Sequence, residues 1–131
     1  MELAFPWPAS NGEWLAWSSA AITALWGLFV LFMPKTALSL LALEAKPDQT
    51  RGISETRGTL SGFHLGVGLC AILLAQPLVY LALGVSWGLT AFGRILSILS
   101  DRANSLVNWL LFLSEVVLAA MPLLFVFGMV R

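Results

Sequence analysis

Residues Trp14 to Met33 read WLAWSSAAITALWGLFVLFM, twenty residues without a charge. A helix rises 1.5 Å per residue, so about 20 apolar residues cover the roughly 30 Å hydrocarbon core of a bilayer. Pro34 and Lys35 stop the run. Before it, Phe5-Pro6-Trp7-Pro8 reads as an irregular aromatic segment of the kind found at membrane interfaces. The first residues carry Glu2 and Glu13 and no Lys or Arg, so they are not expected to form a signal peptide.

The rest of the chain agrees with this opening. Of 131 residues, 59% are hydrophobic and 11% charged. A soluble domain carries about 25% charged residues, and a small one exposes proportionally more surface, so this chain could not cover itself in water. An ordinary cytosolic enzyme and a disordered chain are excluded. Seven Lys+Arg balance seven Asp+Glu, which excludes a phosphate-neutralising nucleic-acid binder. Cys70 is alone and His64 is the only histidine. No disulfide framework, no metal site and no cofactor are expected from such an inventory.

Residues 1–131 are therefore read as one all-α integral membrane domain, a four-helix bundle with spans at about 14–33, 58–83, 85–100 and 105–130. Gly84 marks a tight link between spans two and three, and Asp101 to Asn104 separates three from four. Thr36 to Ala45 is apolar but too short to cross, and reads as a short interfacial helix between spans one and two. Lys35, Lys46, Arg51, Arg57 and Arg102 fall on one side, with Arg131 alone on the other. The positive-inside rule then puts both termini outside the cytoplasm.

Polar residues inside spans are costly, so their placement is informative. Gly58, Gly62 and Gly66 recur every fourth residue and predict a close-packing face, with Gly68 on a less crowded one. Arg57, Ser61 and His64 lie roughly opposite those glycines. Two such faces suggest that span two is central. His64 reads either as a hydrogen-bonded structural histidine or as a proton-transfer or ligand-binding group. Trp87, Thr90, Arg94, Ser97 and Asp101 form one stripe of span three; Asn104, Asn108, Leu111, Glu115 and Pro122 form one of span four. Side chains lean towards their own helix N-terminus, so Arg94 and Glu115, on antiparallel helices, converge. The expected result is contact, with Ser97 or Asn108 completing the hydrogen bonds. It serves either as an ordering ion pair or as part of a ligand or proton site.

Three features together resemble a known family: Glu55-Thr56-Arg57 followed by the glycines of span two, Gly93-Arg94-Ile95-Leu96-Ser97 with Asp101, and Glu115 in the last span. Over roughly residues 20–125 the chain is similar to small bacterial four-span inner-membrane proteins of unknown function, DoxX-like in layout. Members often have Tyr-Gly-Gly where Leu60-Ser61-Gly62 stands here. The resemblance implies a four-helix membrane fold with an intramembrane Glu/Arg cluster.

Three functions fit these observations. The first is a non-catalytic protein binding an amphiphilic small molecule, a membrane lipid or a membrane-protein partner through a cluster of Arg94, Glu115, His64, Arg57, Glu55, Ser97, Asn108 and Trp87. Arg94 would hold an anionic or carbonyl head group. The second is a membrane-embedded enzyme acting on a lipid or quinone, with Glu115 or His64 as acid/base. No nucleophile, phosphate-loop or redox-cofactor motif accompanies it, and no catalytic residue can be assigned. The third is an accessory or assembly subunit of a larger complex, possible also as an oligomer. A cavity touching both Arg94 and Glu115 favours binding or catalysis; a dry contact favours the accessory role.

Overall fold

The computed structural model describes residues 5–131, so Glu2 lies outside the described residues. Every regular element among the described residues is helical: α1 (Asn11–Phe32), α2 (Pro34–Leu40), α3 (Arg51–Glu55), a π-helical turn (Thr56–Leu60), α4 (Ser61–Leu74), α5 (Pro77–Ser100) and α6 (Leu106–Val126). α3, the π turn and α4 run as one helix, Arg51–Leu74. It joins α1, α5 and α6 as four helices long and apolar enough to cross a membrane. They alternate in direction, so the start of α1 and the end of α6 meet at one end of the bundle. Gly12 there lies against the Val130 carbonyl and 3.0 Å from the Phe125 ring, measured from a Cβ built on it.

α1 begins three residues before the charge-free run. Ser10 caps it, accepting from the Glu13 backbone N–H at 3.2 Å, while the Glu13 carboxylate accepts from the Ala9 N–H at 2.9 Å. This reciprocal Ser-x-x-Glu arrangement resembles a capping box and outweighs the cost of starting at Asn11 and Gly12. α2 lies where a short helix was expected, but spans Pro34–Leu40 instead of Thr36–Ala45. Pro34 sits in its first turn, where proline's fixed φ suits a helix, and Ala42 at φ 58° ends it. Phe5 to Pro8 is irregular, with the Trp7 ring tilted against those of Phe5 and Trp17.

The turn between the second and third long helices corrects the sequence reading. It lies at Ala75-Gln76, not Gly84. Proline disfavours helical backbone in the residue before it, and Gln76 is extended at φ −98°, ψ 138°. Ala75 closes α4 in the left-handed region at φ 50°. The second helix therefore ends at Leu74 and not Leu83, and α5 is a full 24 residues. Gly84 sits inside α5 and serves packing. A Cβ there would lie 2.6 Å from the Leu123 side chain and 3.2 Å from the Ala119 carbonyl of α6.

The central helix is also not the expected one. α1, not span two, is the most enclosed helix, packed along α4 on one side and α6 on another. Most of its inward residues are small: Ala16, Ser19, Ala20, Thr23, Ala24 and Gly27, with Val30 the larger exception. Small residues let backbones approach closely, which is the chief source of helix attraction where lipid is as apolar as the side chains. On α4 the opposing surface is Gly68, whose Cβ would fall 2.7 Å from the Ala24 nitrogen. Gly27 of α1 meets Leu65 in the same way, at 2.6 Å. Gly58, Gly62 and Gly66 have nothing within 4 Å. They face outward from this chain and do not form its internal packing surface.

Hydroxyls on α1 add polar stitching. Pro122 is fully buried inside α6 and has no N–H, so the Leu118 carbonyl loses its helical partner. The Ser19 hydroxyl donates to that carbonyl at 2.7 Å. On α4, the Ser61 hydroxyl donates to the Gly27 carbonyl at 2.8 Å. Near the terminal end, Ala16, Ala20, Ala71, Tyr80 and Leu83 form a buried apolar core, with Tyr80 edge-on to Phe125 at 5.7 Å. Large apolar side chains such as Leu25, Phe63, Leu89 and Val117 point outward, as a lipid-facing surface requires.

Candidate functional site: a cavity beside a buried ion pair

Towards the end of the bundle that holds the long loop, the four helices separate around a cavity of about 280 Å³. α5 supplies Arg94, Thr90 and Trp87, and α6 supplies Glu115, Ser114, Leu111 and Leu118. α4 contributes His64, α1 contributes Ile22 and Trp26, and Leu41 and Leu60 close the loop end.

Arg94 and Glu115 meet as the antiparallel geometry demands. Nε of Arg94 donates to Oε1 of Glu115 at 2.7 Å, and Nη2 donates to Oε2 at 2.8 Å. The carboxylate is thus gripped by both oxygens, the pairing that the planar guanidinium favours. The Glu115 side chain is 7% exposed and that of Arg94 22%. Nη1 of Arg94 donates to Oδ1 of Asn108 at 2.7 Å, and Nδ2 of Asn108 donates to the Ala103 carbonyl at 2.7 Å. Asn108 is therefore the residue that completes the pair. Ser97 is not, because its hydroxyl donates to Asp101 at 2.8 Å.

His64 is held by its own helix. Its Nδ1 lies 2.7 Å from the Leu60 carbonyl. A carbonyl only accepts, so Nδ1 carries the hydrogen, and the neutral tautomer that this contact selects has its lone pair on Nε2. No second partner for the ring is present among the described residues. The imidazole centroid is 5.6 Å from that of Trp87. The Trp87 indole N–H donates to the Thr23 hydroxyl at 2.8 Å, and Thr23 donates to the Ser19 carbonyl at 2.8 Å. α1 thus fixes the ring that faces the histidine. Leu60 closes the π turn, and a π turn within an α-helix is a local departure often found at functional sites.

Arg94, Glu115, His64, Trp87 and Asn108 are brought together. Arg57 and Glu55 are not: both are exposed, away from the cavity lining, and Glu55 accepts from the Thr59 hydroxyl. The π turn rotates this segment relative to an uninterrupted α-helix, and neither charge points inward. Trp26, Ser114 and Thr23 were missed. Ser19, Thr23 and Trp26 recur at spacings of four and three on α1. That stripe was the available signal, hidden by reading the run only for its lack of charge. No grouping of three or more His, Cys, Asp or Glu that could hold a metal is present among the described residues.

No curated protein and no solved structure matches the chain. A family match does exist and covers residues 13–127, all four long helices apart from the first residues of α1. The chain belongs to the DUF4345 family, a domain of unknown function.

Proposed function

We propose that this chain is a non-catalytic protein of a bacterial inner membrane, DoxX-like in layout, that binds a small amphiphile in the cavity beside Arg94 and Glu115. The observation that carries the reading is the cavity itself. A pair that only ordered the bundle would close on itself, whereas this one borders about 280 Å³ of space shared with His64, Trp26 and Trp87. That volume is at the small end for ligand sites, and the mixture of apolar walls with a few polar groups is typical of them. Gently purified protein is expected to carry a small apolar molecule, detected by native mass spectrometry and solvent extraction. Leu118→Trp, which fills the cavity, should fold and arrive empty. Equal cargo in both proteins would refute the cavity as the site.

The Lys/Arg asymmetry supports an orientation with the long loop cytoplasmic and both termini outside, α2 lying at the cytoplasmic interface. A periplasmic reporter fused after Arg131 should then be active and a cytoplasmic one inactive. The opposite pattern would invert the bundle. The outward Gly58/Gly62/Gly66 face favours a second reading, an accessory subunit whose membrane partner packs on α4.

A further inference from the structure

We infer that the head group taken by this cavity is a neutral hydroxyl, not an anion or a bare carbonyl. The inference rests on the binding reading above and deepens it by counting hydrogens.

Most polar groups around the cavity have already spent their donors. The Thr90 hydroxyl donates to the Ser86 carbonyl at 2.8 Å, and the Ser114 hydroxyl donates to the Leu111 carbonyl at 2.7 Å. Each presents only lone pairs to the cavity. Nδ1 of His64 is committed to Leu60, leaving Nε2 as an acceptor, and the Trp87 N–H is committed to Thr23. The Thr90 and Ser114 hydroxyl oxygens and His64 Nε2 therefore border the space as acceptors, beside the Glu115 carboxylate that Arg94 grips. Two lining residues keep free donors: Arg94, which uses three of its five N–H groups on Glu115 and Asn108, and Trp26, whose indole N–H has no partner among the described residues.

A bare carbonyl satisfies Arg94 and leaves the acceptors without a hydrogen. An anion meets a guanidinium whose charge Glu115 already balances through both oxygens. It would have to break that pair or enter a low-dielectric site uncompensated. A hydroxyl satisfies both sides at once, its oxygen accepting from Arg94 and its hydrogen going to His64 Nε2 or to a neighbouring hydroxyl oxygen. Ile22, Thr90 and Ser114 are exposed at the rim, so an apolar tail has a way out to lipid.

The test uses three probes with one tail: 4-octylphenol, 4-octylanisole and 4-octylbenzoate. Each is titrated near neutral pH into the detergent-solubilised full chain, with tryptophan fluorescence as readout and native mass spectrometry for stoichiometry. The phenol should bind saturably and about tenfold tighter than the other two, the scale of one well-made hydrogen bond with no group left unpaired. His64→Phe should shrink the gap between phenol and anisole; if it fails to fold, Thr90→Val/Ser114→Ala should do so. Equal or tighter binding of the anisole or the benzoate by the parent would overturn the hydroxyl assignment while leaving an occupied cavity. No saturable binding of any probe would overturn both.

Discussion

Gly68→Leu is expected to destabilise the bundle more than any other single glycine change in α4. A Cβ at Gly68 would lie 2.7 Å from the Ala24 nitrogen, 2.9 Å from the Ala20 carbonyl oxygen and 2.9 Å from the Ala24 Cα. These are backbone atoms and cannot swing aside. Even Gly68→Ala must push α1 from α4, and leucine adds three more carbons to the same gap. Overpacking of this kind costs about 1–3 kcal/mol or more, and here it separates the helix that holds Trp87 in place from the one that carries His64. Gly62→Leu is the control. Nothing lies within 4 Å of Gly62, and removing a helical glycine gains about 0.8 kcal/mol of intrinsic propensity. Thermal unfolding in mild detergent should place Gly68→Leu far below the parent and Gly62→Leu level with it or above. A parent-like melting temperature for Gly68→Leu would refute the α1–α4 contact. A large loss at Gly62 would mean that its face packs on a second molecule.

The second large effect concerns the ion pair. Arg94→Met leaves Glu115 almost enclosed, without either of its two charge-assisted hydrogen bonds. Glu115→Gln leaves Arg94 facing an amide that can accept from it on one side only. Each single change should cost about 2–4 kcal/mol, somewhat less than a fully buried pair because Arg94 is partly exposed. The double change Arg94→Met/Glu115→Gln should recover much of the loss, since neither side then buries an unpaired charge. Asn108→Ala should weaken the parent but have little effect in the double variant, because its partner on Nη1 is gone. Additive single and double losses in a thermal-unfolding cycle would show that the two residues do not stabilise one another. Ligand retention then separates ordering from binding: a stable double variant that still carries the native cargo would assign the pair to structure alone.

Much of this was legible in the sequence, for reasons that are local. Whether a stretch can cross a bilayer depends on its own composition over about 20 residues, so the number of long helices follows from reading along the chain. A buried charge needs a partner, and the lean of side chains on antiparallel helices makes Arg94 and Glu115 meet whatever surrounds them. The break at Gln76-Pro77 was legible too, since proline restrains the residue before it. Gly84 was given the turn because glycine is read as a breaker, although inside a membrane bundle it more often admits a neighbouring helix.

Only the tertiary structure decided how each helix is rotated about its axis. A soluble helix declares its inner face by an apolar stripe, but a helix that is apolar all round gives no such mark. Gly58, Gly62 and Gly66 have the more regular spacing, yet Gly68 and Gly27 make the close approach, because the better-packed crossing of α1 on α4 selects that face. The same rotation puts Ser19 and Thr23 where they satisfy Leu118 and Trp87, and so makes α1 the central helix. The cavity is the space left when those contacts are made. Its lining comes from four helices and the loop residue Leu41, each set by packing on its neighbours, and no spacing along one segment encodes it.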